Sequence, residues 1–139
     1  MQRLYPSELL SFQQRYRFVG ARLRRVRLTA AGEDWTAELS LLVRPRAKQL
    51  GNDAPPVRLK IRLAGLEEYR LQKRPNSVVG KISDARIGYF GDSYFLNLDA
   101  WGLEPGEVPK LHDYRNSDLY LAARELWWEE VPPKKKPTT

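Results

Sequence analysis

The chain has 139 residues, carries 24 Lys and Arg against 17 Asp and Glu for a formal net charge of +7, and contains no cysteine. That length fits one domain with a real core, and a hydrophobic content of 42% argues against disorder of the whole chain. Without cysteine there are no disulfides, no thiol nucleophile and no cysteine zinc cluster; the apolar runs are too short for a membrane-spanning helix, and the opening MQRLYPSELLSF lacks the apolar core of a secretory signal.

These features predict a cytoplasmic protein of bacterial type with no membrane contact. The charge is uneven. Residues 1–74 hold 16 Lys and Arg against 7 Asp and Glu, a net of +9, and residues 75–139 hold 8 against 10, a net of −2. Such asymmetry fits an anionic partner for the first half, and equally head-to-tail self-association.

In chain order, Pro6-Ser7-Glu8 followed by Leu9, Leu10 and Phe12 predicts a short helix over 7–14. Ala21–Leu28 reads as a strand with a phase fault: Ala21 and Leu23 share one face, Val26 and Leu28 the other. An extra residue at Arg24-Arg25, a β-bulge, would repair it. Ala30–Asp34 is a turn. Trp35, Ala37, Leu39, Leu41 and Val43 alternate with Thr36, Glu38, Ser40, Leu42 and Arg44, the pattern of a half-buried strand. Arg44–Pro56 is a loop. Val57, Leu59, Ile61 and Leu63 alternate with Arg58, Lys60, Arg62 and Ala64, the cleanest strand in the chain. A break at Ala64-Gly65 leads to a further strand over 66–72, with Tyr69 and Leu71 on one face.

A turn over 73–77 precedes an aromatic hairpin, 79–90 and 93–100. Its Gly91-Asp92 turn is expected to be type II′, with a kink near Gly88. Tyr89, Phe90, Tyr94 and Phe95 lie beside that turn on paired strands. Residues 102–116 read as a polar loop. Asp118–Val131 fits either a helix by propensity or a strand by its β surroundings. The strand is preferred, with Leu119, Leu121, Ala123 and Trp127 on one side. Together these elements predict a mainly β, single-domain antiparallel β-sandwich or partly open barrel of seven to eight strands with a short N-terminal helix. The domain spans 1–131, and 132–139, PPKKKPTT, is a disordered basic tail.

The order of these motifs carries a resemblance. Phe12 and Phe18 come first, then RLRRVRL (Arg22–Leu28), the Trp-led strand WTAELSLLV, VRLKIRLAGLEEYRL (Val57–Leu71) and the hairpin ISDARIGYFGDSYFLNL. Over residues 18–100 the chain is similar to small bacterial β proteins of the polymorphic-toxin immunity family, the immunity protein fifty type. Leu63 stands where that pattern has an aromatic. The resemblance implies a β fold and a protein-binding role, and it carries over no catalytic residue.

Chemistry is sparse. His112 and Asp113 are adjacent, but no activated Ser or Cys accompanies them. Asp84, Asp92, Asp99, Asp113 and Glu125 read as turn or surface carboxylates rather than a convergent pair. No metal-ligand spacing and no phosphate-cradling glycine loop occur, so no cofactor and no enzymatic activity are expected. The candidate site is a basic face for an anionic partner: Arg58, Lys60 and Arg62 on one side of their strand, with Arg22, Arg24, Arg25 and Arg27 on a neighbouring one.

The primary expectation is a non-enzymatic protein-interaction module, immunity-like by resemblance. Two alternatives accompany it: a nucleic-acid-binding domain using the basic face, and a small-ligand barrel lined by Trp35, Leu39, Tyr69 and Tyr94.

Overall fold

The computed structural model describes residues 1–46, 55–72, 82, 84–99, 110–117 and 119–131. A short strand β1 (Gln2–Leu4) opens the chain and a 3-10 turn (Pro6–Glu8) leads into helix α1 (Leu9–Arg15). Pro6 presets the first turn, and the Glu8 carboxylate accepts the Tyr5 N–H at 3.0 Å, satisfying a donor that the turn leaves free. The remaining strands are β2 (Tyr16–Ala31), β3 (Asp34–Pro45), β4 (Val57–Leu71), β5 (Arg86–Phe90), β6 (Ser93–Asn97) and β7 (Leu119–Val131), with a single helical turn α2 (Leu111–Arg115) before the last.

All described strands belong to one antiparallel sheet in the order β2-β3-β4-β7-β6-β5, with β1 beside the end of β7 that β6 does not reach. The ladder is open at β2 and β5. One backbone bond links the two sides: the Ile82 N–H, just before β5, donates to the Ala21 carbonyl of β2 at 2.9 Å. Phe18 and Ala21 from β2 and Ile87 from β5 join the same buried cluster as the central strands. The sheet therefore curls around one core, the partly open barrel of the two arrangements the sequence allows.

That core follows the alternation. Ala37, Leu39, Leu41 and Val43 of β3 face Val57, Leu59, Ile61 and Leu63 of β4, and none of the eight exceeds 8% exposure. The phase fault in β2 is a bulge. Leu23 pairs with Leu41 and Arg25 with Ser40, so Arg24 is the extra residue and Val26 and Leu28 return to the core side. At the expected break in β4 the strand runs on instead. Gly65, at φ +67, takes the strain in a left-handed conformation, and pairing with β7 shifts register between Leu66 and Glu68. An aromatic group, Phe12, Tyr16, Phe18 and Trp128, fills one end of the barrel, with Phe12 and Trp128 ring centres 5.0 Å apart. Tyr16 is fully buried and donates its hydroxyl to Glu130 at 2.7 Å. Burial, together with that carboxylate, holds its phenol well above the usual tyrosine range.

Three further expectations change. The Gly91-Asp92 turn has positive φ at both central residues, 54° and 65°, which makes it type I′ rather than II′. Asp92 occupies the left-handed region that Asp tolerates. Residues 111–115 within the expected loop form α2, whose Lys110 N–H is capped by the Asp113 carboxylate at 2.7 Å. In β7, Leu119, Leu121 and Ala123 face the core as expected. The inward phase then jumps to Leu126 and Trp128, so Trp128 and not Trp127 points inside. The jump falls at Arg124, which lies against Gly65 of β4 (φ +67) between the pairs Ala64–Glu125 and Leu66–Ala123, where the regular pleat of both strands is interrupted. The strand reading of 118–131 itself is confirmed over Leu119–Val131.

Because β6 is buried on both sides, its two faces serve two clusters. Tyr94 and Leu96 enter the main core, while Phe95 packs with Phe90, Tyr114 and Tyr120 beneath α2. Tyr94 and Phe95 sit across from or diagonal to Tyr89 and Phe90, with ring centres 4.9 and 5.9 Å apart. Gly88 is where Tyr114 crosses the strand: a Cβ there would lie 2.8 Å from the Tyr114 hydroxyl and 2.6 Å from the Phe90 ring. The expected tail over 132–139, the turn over 73–77 and most of the loops over 44–56 and 102–116 lie outside the described residues.

Candidate binding face of the sheet

The outer face of the sheet has two halves. Over β5, β6 and β7 it is covered by α2. Arg115 of that helix makes a forked pair with Glu68 of β4, Nε and a terminal nitrogen donating at 3.1 and 2.8 Å, and Arg70 donates to the Arg115 carbonyl at 3.2 Å. The Arg115 guanidinium and the Tyr120 hydroxyl hold the Glu68 carboxyl below its ordinary value. Over β2, β3 and β4 no described element covers the outer face, and the candidate cations stand there.

Register assembles them into rows. Arg27 lies beside Glu38, then Arg62, then Trp127. The next row is Arg25, Ser40, Lys60 and Glu129, and the next is Arg22, Leu42, Arg58 and Val131. Arg22, Arg25 and Arg27 are therefore next-but-one to Arg58, Lys60 and Arg62, with β3 between them, not on the adjacent strand. The two cation columns stand about 10 Å apart, and cations within a column about 7 Å apart. Both spacings are near the screening length of about 8 Å at physiological salt, so the charges feel one another. Arg24 is the bulge residue and sits outside this regular grid.

All seven candidate side chains are exposed. Among the described residues only Arg62 of the seven has an ion-pair partner, Glu38, at 3.0 Å. Of the acids nearby on β4, Glu67 pairs with Arg124 and Glu68 with Arg115. β7 borders the face with acids: Glu125 accepts from the Trp127 indole at 3.1 Å and lies 3.9 Å from Arg3. Sequence reading missed Arg3, Arg17 and Arg44 on this side. The first depends on β1, too short to show a period, and the other two meet across β2 and β3 only in the folded ladder.

The remaining candidates resolve into local roles. His112 approaches Asp113 at 3.3 Å on the surface of α2, with its side chain 67% exposed. Asp84 pairs with Arg86 at 3.3 Å, and Asp92 holds the hairpin turn. Among the described residues no group of three His, Cys, Asp or Glu is placed to hold a metal ion. Of the four residues expected to line a ligand cavity, Leu39 and Tyr94 are packed in the core, while Trp35 and Tyr69 are 43% and 50% exposed. Trp35 lies at the β2–β3 hairpin end of its strand, beyond the packed residues Ala37 to Val43. An open cleft of about 820 Å³ lies instead between α1, β1 and β7. There Arg15 stands over the Trp128 ring at 5.2 Å, and Glu8, Arg46 and Glu130 make the wall mixed in charge.

No helix among the described residues is long and apolar enough to cross a membrane. No protein-family model matches the chain, and neither the curated proteins nor the solved structures give a match.

Proposed function

We propose that this protein is a non-catalytic interaction module that docks an acidic protein surface on the bare outer face of β2, β3 and β4. The observation that carries the reading is the pairing register, which sets Arg22, Arg25 and Arg27 across β3 from Arg58, Lys60 and Arg62 with Glu38 as the single acid between them. Six cations against one carboxylate on an uncovered surface repel one another, and an acidic partner relieves that repulsion while speeding encounter.

A protein partner is favoured over a phosphate backbone by what lies among the cations. Glu38 occupies the middle of one row, and Ser40 and Leu42 occupy β3 in the next two. A phosphate track would meet a carboxylate there, whereas protein interfaces mix Arg, Trp and neutral contacts. The resemblance to immunity proteins makes a toxin domain the natural first partner to try.

The test uses polyglutamate and a single-stranded oligothymidylate as probes, with the Arg58→Glu/Lys60→Glu variant beside the parent chain. Polyglutamate is expected to bind the parent, to weaken as salt rises, and to lose about tenfold or more in affinity on charge reversal. Folding stability of the variant should stay within about 0.5 kcal/mol, as for exposed positions without special contacts. Unchanged binding in the variant would remove the face from the interaction. Binding of the oligonucleotide alone would transfer it to nucleic acid.

A further inference from the structure

The outer edge of β2 has properties that go beyond a charged face. β2 is the end of the ladder, and among the described residues no strand pairs with its outer side. Among the described residues the one backbone contact on that side is the Ile82 N–H to the Ala21 carbonyl. Beyond the bulge at Arg24, residues Arg25 to Ala31 pair without interruption with β3, from Arg25 opposite Ser40 to Ala31 opposite Asp34. Seven consecutive residues of regular strand therefore present every second N–H and C=O outward, the template on which an extended segment can add.

Side chains along this edge specify what fits. On the outer face Arg25 and Arg27 stand two residues apart with no ion-pair partner among the described residues. On the inner face Val26 and Leu28 pack against the core but are only half-buried. Their neighbours on β3, Leu39 and Ala37, are 2% and 0% exposed. The difference arises because β2 has a neighbour on one side and β3 on both. An added strand would complete the burial of Val26 and Leu28 with its own apolar residues and meet Arg25 and Arg27 with acids. The two requirements alternate, because successive residues of a strand face opposite sides. A second copy of β2 would bring the same arginines against one another, which disfavours self-pairing.

We propose that β2 receives an extended segment of the partner, alternating acidic and β-branched apolar residues, as an additional strand beside Arg25–Ala31. This rests on the acidic-partner reading above and names the form the partner takes at the edge of the face. Backbone bonds would supply the hold, and the Glu–Arg and Val–Val neighbours the selectivity.

The full chain is titrated with a blocked peptide of about eight residues, a usual strand length, alternating Glu and Val. A Lys–Val peptide controls for charge. A Glu–Pro peptide controls for strand formation, because proline has no N–H to give a ladder. Hydrogen exchange is followed residue by residue. The Glu–Val peptide is expected to bind about tenfold or more tightly than either control and to slow exchange at alternate amides between Arg25 and Ala31. Arg27→Glu should weaken the Glu–Val peptide and strengthen the Lys–Val peptide.

Equal binding of the Glu–Pro and Glu–Val peptides overturns strand addition and leaves the acidic-partner reading standing. So does binding of the Glu–Val peptide without protection in β2. Failure of every acidic probe, polyglutamate included, overturns both. If those β2 amides are already slow in the free chain, or become so only as the protein dimerises, the edge is occupied otherwise and the proposal falls.

Discussion

Two glycines in one hairpin are required for different reasons. Gly91 sits at φ +54 with open space around it, so an added Cβ meets nothing but sets a conformation that L-residues avoid. Gly91→Ala should cost about 1–2 kcal/mol. Gly88 has ordinary backbone but no room, since Tyr114 and Phe90 lie within 3 Å of where its Cβ would be. Gly88→Ala should cost about 1–3 kcal/mol by overpacking. Urea denaturation of both variants and of Gly88→Ala/Tyr114→Ala separates the causes. Removing the Tyr114 ring should absorb part of the Gly88→Ala cost and none of the Gly91→Ala cost. Equal non-additivity for both glycines would show that Tyr114 is not what Gly88 accommodates.

At the scale of elements, α2 is held to the sheet by groups that titrate at opposite ends of the pH range. The Arg115 guanidinium keeps Glu68 below its ordinary 4.5, so the pair contributes stability above that value and loses it as pH falls through the lower folded-state value. Burial pushes the Tyr114 phenol up to about 12 from an ordinary 10. Its contribution is complete below 10 and is lost as pH climbs toward 12. Melting temperature should therefore decline on both limbs. Glu68→Gln should flatten the acid limb and leave the alkaline one, and Tyr114→Phe should leave the acid limb and remove only part of the alkaline one, since the buried Tyr16 phenol is raised as well. An acid limb unaltered in Glu68→Gln would show that the forked pair does not anchor α2.

At the scale of the whole molecule, β1 completes the barrel wall although it has only three residues. Leu4 is 2% exposed, sits opposite Leu126, and its carbonyl accepts the buried Tyr94 hydroxyl at 2.6 Å. It thereby joins β7 and β6 from the chain's first residues. Leu4→Ala should destabilise by about 2–5 kcal/mol, the range for a fully buried leucine. The control Leu10→Ala, at a residue 68% exposed, should change little. A loss in Leu4→Ala no larger than in that control would place β1 outside the cooperative unit.

Local pattern settled much of this protein. Alternation in Ala37–Val43 and Val57–Leu63 fixed the inward faces, because a strand's period of two leaves one way to bury Leu and Ile while Arg and Lys reach water. The broken phase of Ala21–Leu28 located the bulge at Arg24 for the same reason. Gly91-Asp92 marked the hairpin, but Gly at the first central position serves both primed turns, and the positive φ of Asp92 makes this one type I′. Tertiary structure decided what depends on neighbours. β3 separates the two arginine columns because of strand order. Trp128 turns inward because the pleat of β7 is interrupted at Arg124, against the left-handed Gly65 of β4. Gly65 carries β4 through a break its local sequence predicts because β7 continues beside it. The basic residues were visible in the sequence. Their assembly into one face was not, since it follows from a register that only the folded ladder sets.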